Sequence, residues 1–126
     1  MANKYDASWD DDADEDAFTE KCHEWAQRPW EDWLRENLTF PFEAERMEDE
    51  DDAYFTDIAK TEPFRLGHIM KIVGIAGGDD LHGFIVEAKE GKKTGYVPLC
   101  DLEVTAKADV NYWPVREYVV WFANSR

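Results

Sequence analysis

Residues 94–104 read Thr-Gly-Tyr-Val-Pro-Leu-Cys-Asp-Leu-Glu-Val, and the predicted fold is built around them. An alternating segment meets Pro98, makes one tight turn and resumes as a short final strand. Strands are also predicted upstream, at 38–45, 65–75 and 83–89. In these segments apolar and polar residues alternate, or turn-forming residues bound the segment. Strands of this length and spacing suit a small barrel.

Helical patterns lie on both sides of these strands. Apolar residues recur every three or four positions through 17–37, with Pro29 between two short helices, and again through 112–123. Residues 1–16 are polar, acidic and without a period. We therefore expect a mobile acidic tail over 1–16 and a single domain over 17–126.

The turn after Pro98 resembles the end of an SH3-type barrel, in which one tight turn separates the last two strands. The predicted fold class is α+β: a small SH3-like β-barrel over about 38–105, flanked by N-terminal helices and a C-terminal helix. Pro41 cannot donate a ladder hydrogen bond, so its strand is expected at an edge of the sheet or with a bulge at this position.

The charge of the chain is strongly negative, because 29 Asp and Glu stand against 14 Lys and Arg, for a net charge of -15. Much of it lies in two runs, 10–16 and 48–52. Crowded carboxylates repel one another unless cations neutralise them or the segment stays extended. A polyanion is also repelled by phosphate backbones and anionic lipids, so we expect no nucleic acid and no membrane among its partners.

Other sequence features bear on location and activity. The N-terminus has no basic region followed by an apolar stretch, which favours a cytoplasmic location. The high net charge is expected to keep the protein monomeric. The sequence contains no GxSxG, HExxH or phosphate-binding loop, and its clustered carboxylates lie in a polar loop without the apolar pocket that acid–base catalysis needs. We therefore expect no enzymatic activity.

Calcium is the cation that best fits such carboxylates, because it takes about 6 to 8 oxygen ligands in loose geometry. Glu43 and Glu45 point to the same face of a predicted strand and lead into the run 48–52. If the barrel closes in the usual way, Asp101 and Glu103 approach the end of this loop and complete a cage. The candidate metal ligands are Glu43, Glu45, Glu48, Asp49, Asp51, Asp52, Asp101 and Glu103.

Other interpretations of the acidic runs stay open. The run 48–52 is compatible with a solvated surface. An EF-hand beginning at Asp10 fails, because Glu15 stands where the loop needs Gly and Lys21 where it needs Glu. The competing functional class is an acidic interaction module, of DNA-mimic, inhibitor or immunity type, that binds a basic partner protein. A third is a structural domain whose charge only keeps it soluble.

Several pieces of sequence carry a family resemblance. They are Trp33-Leu34, residues 38–44 (Leu-Thr-Phe-Pro-Phe-Glu-Ala), residues 95–103 (Gly-Tyr-Val-Pro-Leu-x-Asp-Leu-Glu) and Tyr118-x-x-Trp121. Together they resemble the cyanobacterial-type calcium-binding protein family over roughly residues 30–122. The resemblance implies a small acidic cytoplasmic protein with an SH3-like barrel. Such a protein binds Ca2+ through clustered carboxylates outside any EF-hand and acts as a buffer or sensor without catalysis.

Overall fold

The computed structural model describes residues 5–11, 13–47, 64, 67–79 and 82–124. This part of the chain contains three α-helices and five β-strands, which confirms the α+β class. In chain order they are α1 (Glu15–Ala26), α2 (Trp30–Asn37), β1 (Phe42–Arg46), β2 (Ile69–Asp79), β3 (Gly83–Glu90), β4 (Lys93–Pro98), β5 (Leu102–Val104) and α3 (Tyr112–Asn124). None of the described helices is both long enough and apolar enough to cross a membrane.

The five strands form one antiparallel sheet in the order β4-β3-β2-β1-β5. Strands β4 and β5 lie at its two edges, yet they are consecutive in the chain and are separated only by the 3₁₀ helix Leu99–Asp101. This is the strand, turn and strand predicted from residues 94–104. Among the described residues the sheet is open, so closure into an SH3-like barrel stays a prediction.

Strand β1 differs from its prediction in where it starts and where it lies. The apolar alternation begins at Leu38, but the N–H of Leu38 donates to the carbonyl of Leu34 at 2.9 Å and so belongs to the end of α2. Pairing begins only at Phe42, after Pro41, which has no N–H for the ladder. The predicted edge position is wrong, because β1 lies between β2 and β5.

The core lies between one face of the sheet and the helices. In β1, Phe42 and Ala44 are buried while Glu43 is exposed, as strand alternation predicts. Trp30 and Leu34 enter the core from α2. The largest fully buried side chains are Trp25, Tyr118, Leu34, Met70, Ile72, Leu99, Val86, Val97 and Val115. Large aromatic and aliphatic groups therefore supply the burial that holds this highly charged chain together.

The N-terminal segment packs on the helices, although the sequence predicts a mobile tail over 1–16. The ring of Tyr5 stacks on Trp113 with centroids 4.7 Å apart. Trp9 lies edge-on to Trp25 at 5.1 Å and is only 4% exposed. Each buried ring removes a large apolar area from water, which favours this docking despite the acidic residues nearby. The packed part of the chain thus includes residues 5–11, ahead of the predicted boundary.

A buried carboxylate, that of Glu117 on α3, joins the N-terminal segment to α1. It accepts hydrogen bonds from Trp25 Nε1 at 2.9 Å, from Arg28 Nη1 at 2.9 Å and from the Tyr5 hydroxyl, and Lys21 Nζ lies 3.3 Å away. Burial by itself would raise the pKa of Glu117, but the hydrogen bonds it accepts outweigh burial and hold the pKa below its ordinary value. The carboxylate of Glu117 therefore has partners for its charge, and it links the N-terminal segment to α1.

The start of β3 lies directly against α3. Gly83 has a φ of 71°, in the left-handed region, and a Cβ there would overlap the Tyr118 hydroxyl and the Phe122 ring. The same hydroxyl accepts a hydrogen bond from the N–H of Phe84 at 3.0 Å. Burial raises the pKa of Tyr118 to about 12, so the hydroxyl stays neutral. Only glycine fits this close approach.

Replacing Gly83 with Ala is expected to lower the free energy of unfolding by about 2–4 kcal/mol, because it adds backbone strain and a clash with Tyr118. Denaturant unfolding followed by tryptophan fluorescence measures this loss. Gly91→Ala is the matched control, since Gly91 also has a positive φ, of 61°, but open space around it. The control should cost about 1 kcal/mol. Equal losses in the two variants would contradict the close approach.

Glu117→Gln is expected to destabilise the protein by about 2–4 kcal/mol at neutral pH, because it leaves the Arg28 guanidinium buried beside a neutral amide. The difference should shrink in acid. The pKa of Glu117 is depressed on folding, so its contribution is complete above the ordinary value of 4.5 and is lost as the pH falls through the folded value.

Urea unfolding between about pH 7 and about pH 3 measures this dependence. The control is Glu31→Gln, which removes an exposed carboxylate paired with Arg35 and should change the free energy of unfolding by less than about 0.5 kcal/mol. A loss in Glu117→Gln that does not vary with pH would show that the carboxylate charge is not responsible.

Candidate metal centre

The pairing of β1 with β5 brings two of the predicted ligands face to face. Glu45 and Glu103 are Cα partners in this antiparallel register. Side chains at such positions leave the same face of the sheet, with Cβ atoms about 4.5–5.5 Å apart. Two carboxylates held in this way repel each other, and a divalent cation bound between them would relieve the repulsion.

Glu43 lies on the same face of β1, two residues before Glu45, and its side chain is exposed. The hydroxyl of Thr105 donates to Glu43 Oε1 at 2.9 Å. On the other side, Glu43 is the Cα partner of Lys71 in β2. This carboxylate is therefore held near the end of β5 and next to a cation, and it flanks the facing pair.

The predicted ligand Asp101 makes a different contact. It is the last residue of the 3₁₀ helix before β5, and its Oδ2 accepts a hydrogen bond from Arg46 Nη2 at 3.0 Å. Both side chains are largely buried, Arg46 at 14% exposure and Asp101 at 13%. In this structure the carboxylate of Asp101 is therefore already paired with the guanidinium of Arg46.

The remaining predicted ligands, Glu48, Asp49, Asp51 and Asp52, lie outside the described residues. Their run follows Met47, whose N–H donates to the carbonyl of Asp101 at 2.7 Å. The chain thus leaves the described strand beside the turn that precedes Glu103. In the part of the chain that the structure describes, no group of three or more His, Cys, Asp or Glu side chains is arranged to hold a metal ion.

A small cavity of about 160 Å³ lies next to these residues. Its lining includes Met47, Asp101, Glu103, Tyr112 and Arg116. The hydroxyl of Tyr112 donates to Glu103 Oε1 at 3.3 Å, and burial together with the negative charge of Glu103 raises the pKa of Tyr112. Two predicted ligands and Met47, the residue before the acidic run, therefore border one cavity.

Sequence reasoning missed the residues that contact these carboxylates. They are Arg46, Thr105 and Tyr112. Arg46 directly follows Glu45, but nothing in its spacing relates it to a residue 55 positions away. The contacts of Arg46 and Thr105 join elements that are distant in the chain, and that of Tyr112 joins two consecutive elements whose packing no local pattern reveals.

The first acidic run, 10–16, serves the fold in the described residues. Asp14 is the N-cap of α1, since its Oδ1 accepts the N–H of Ala17 at 3.0 Å. Asp10 pairs with Arg116 of α3 at 3.0 Å. These contacts stabilise a helix terminus and hold the N-terminal segment in place. Neither contact brings a carboxylate of this run to the β1–β5 pair.

The donor chemistry of the facing pair fits Ca2+. Carboxylates are hard oxygen ligands, and Ca2+ takes about 6 to 8 oxygens at roughly 2.3–2.6 Å. Glu45 and Glu103 supply at most two oxygens each, so a complete site needs further carboxylates, backbone carbonyls or water. When bound, the ion would supply the positive charge that the facing carboxylates need.

Comparisons with known proteins bear on what this centre binds. No curated protein and no solved structure matches the chain. A family model described as calcium binding, that of the CcbP proteins, matches residues 16–122, a range that contains both members of the facing pair. This match confirms the resemblance found in the sequence. The chain therefore belongs to the CcbP-like calcium-binding family, and the ion that it binds is Ca2+.

Proposed function

We propose that the protein is a cytoplasmic calcium buffer or sensor whose ion is held beside the β1–β5 pair. The proposed ligands are Glu43, Glu45, Glu48, Asp49, Asp51, Asp52, Asp101 and Glu103. The observation that carries the proposal is the position of Glu45 directly across from Glu103. Like charges at this position are unfavourable, and a cation between them turns the same geometry into a favourable one.

Repulsion between carboxylates supplies the driving force for binding. Two unit charges about 5 Å apart repel by roughly 0.8 kcal/mol in water, and by more where solvent is partly excluded. A dication replaces this repulsion with attraction to both groups. Because the ion binds the folded form, it also stabilises the fold, by about 2.7 kcal/mol when its concentration is roughly 100 times the dissociation constant.

The affinity should lie between micromolar and sub-millimolar, the range of sensor and extracellular calcium sites. Mg2+ requires near-octahedral geometry and gives up its water reluctantly, so flexible carboxylates should hold it less well. The distinction between a buffer and a sensor depends on whether binding changes the surface that a partner reads. We also propose that the protein is monomeric and that it catalyses no reaction.

An SH3-like barrel is the fold that we propose around this centre. The edges of a flat sheet of five strands lie about 19 Å apart, from four spacings of about 4.8 Å. Here the edge strands β4 and β5 are joined through a helix of only 3 residues, Leu99–Asp101. A connection this short supports a strongly curved sheet with its two edges close together.

A second candidate function, binding of a basic partner protein, is favoured by one cleft between the N-terminal segment, α1 and α3. Its volume is about 500 Å³. Its lining includes the apolar Trp9, Phe18 and Val120 and the acids Asp10, Asp11, Asp14 and Glu15. Arg116 also lines the cleft, but Asp10 pairs with it. An apolar floor with an acidic rim suits a lysine or arginine side chain.

Calorimetric titration with Ca2+ at physiological salt is expected to show binding, with weaker binding of Mg2+. Glu45→Gln and Glu103→Gln should each weaken the Ca2+ affinity by about tenfold, because each removes a charge from the facing pair. Glu36→Gln is the matched control. It makes the same charge change at an exposed position on α2 and should leave the affinity within about twofold.

Two outcomes would contradict the proposal in different ways. Equal affinities for Ca2+ and Mg2+ would remove the selectivity that a calcium buffer or sensor needs. Native affinity in both Glu45→Gln and Glu103→Gln would place the bound ion away from the β1–β5 pair.

The basic-partner function makes a separate prediction. A lysine-rich probe peptide should bind in the presence of a calcium chelator, and its affinity should fall by about tenfold between roughly 0.05 and 0.3 M salt. Glu15→Gln on the rim of the cleft should weaken this binding, whereas Glu36→Gln should not. Fluorescence anisotropy of the labelled peptide measures both effects. Binding that requires Ca2+, or that is insensitive to salt, would exclude this function.

A further inference from the structure

Arg46, the last residue of β1, binds one of the proposed calcium ligands. Its Nη2 donates to Asp101 Oδ2 at 3.0 Å, and its Nη1 donates to the carbonyl oxygen of Phe64 at 2.7 Å. The ion pair is largely shielded from water, as its low side-chain exposures show. At this depth solvent and salt screen a charge less than at an open surface.

The guanidinium also lies where the acidic run is anchored to the fold. Met47, the residue before the run, donates its N–H to the carbonyl of Asp101. Phe64, the first described residue after the run, is held in turn, because its N–H donates to Glu90 Oε1 at 2.8 Å. Arg46 therefore contacts Asp101, which is bonded to the residue before the run 48–52, and Phe64, the first described residue after the run.

We propose that Arg46 is the internal counter-ion of the calcium centre: it neutralises Asp101 when no ion is bound and thereby sets the affinity for Ca2+. The inference rests on the proposed function, because it requires the ion to bind beside Asp101. A guanidinium at this position repels an approaching dication and occupies Asp101 Oδ2, an oxygen that the ion would need. In the absence of the ion it offsets repulsion among the carboxylates.

A purely structural ion pair would hold the turn and leave the Ca2+ affinity unchanged. Three other arginines of the described chain form pairs of this kind: Arg28 with Glu117, Arg35 with Glu31, and Arg116 with Asp10. The acids in those three pairs are not proposed ligands. Arg46 differs because its partner Asp101 is a proposed ligand and because its neighbour in β1, Glu45, faces Glu103.

The test compares the Ca2+ affinities of the native chain, Arg46→Gln and Arg46→Lys by calorimetry at about 0.15 M salt. Arg46→Gln should bind Ca2+ roughly three- to tenfold more tightly, because a positive charge is removed and Asp101 is released. Arg46→Lys loses the forked guanidinium geometry but keeps the positive charge, so its affinity should stay within about twofold of the native value. Arg35→Gln makes the same charge change in an exposed pair on α2 and should leave the affinity unchanged.

Native or weaker affinity in Arg46→Gln would overturn the proposal, and so would an equal tightening in Arg46→Lys, because the charge would then not be the cause. The proposed function fails by a different result. It fails when Glu45→Gln and Glu103→Gln both bind Ca2+ like the native chain, whatever the Arg46 variants do.

A second measurement uses only the native protein. During a Ca2+ titration the guanidinium resonances of Arg46 should shift with the midpoint found by calorimetry, because the ion draws Asp101 away from the guanidinium. The resonances of Arg35 serve as the internal reference and should not move. A stationary Arg46 signal at saturating Ca2+ overturns the proposal even where Arg46→Gln does not fold.

Discussion

The antiparallel pairing of β1 with β5 is the constraint on which the proposed calcium centre depends. In this register Ala44 is opposite Val104, and Glu45 is opposite Glu103. The first pair is buried in the core, and the second leaves the other face of the sheet. A slip of one residue would exchange the faces and expose the apolar pair, so core packing fixes the register. Hydrophobic burial therefore holds together two charges that repel each other.

A net charge of -15 is compatible with folding because the acids are divided among separate tasks and several meet internal cations. Glu117 is buried where hydrogen-bond donors surround it, and Arg28, one of those donors, also lies 4.0 Å from the ring centroid of Trp33. Asp14 caps a helix, where a negative charge is favourable. The negative charge of the carboxylates near the β1–β5 pair is only partly neutralised by cations of the protein. A calcium site uses such carboxylate charge to bind its ion.

The fold was predictable to the extent that it follows local periodicity. Helices at 17–37 and 112–123 and the strand, turn and strand of 94–104 agree with the structure to within a few residues. The start of β1 and the docking of the N-terminal segment were not predictable. Leu38 continues the apolar alternation of a strand yet closes α2, and Tyr5 finds its partner Glu117 at a distance of 112 positions. Contacts of this kind have no local signature.

By itself, the sequence determined the α+β class, the chemistry of clustered carboxylate oxygens and the membership of a calcium-binding family, because these follow from composition, spacing and short motifs. The tertiary structure alone decided which carboxylates meet. It set Glu45 across from Glu103, and it turned Asp101 toward Arg46. The reason is that a side chain's partner is selected by the register and packing of the whole core, and these sum contacts between elements far apart in the chain.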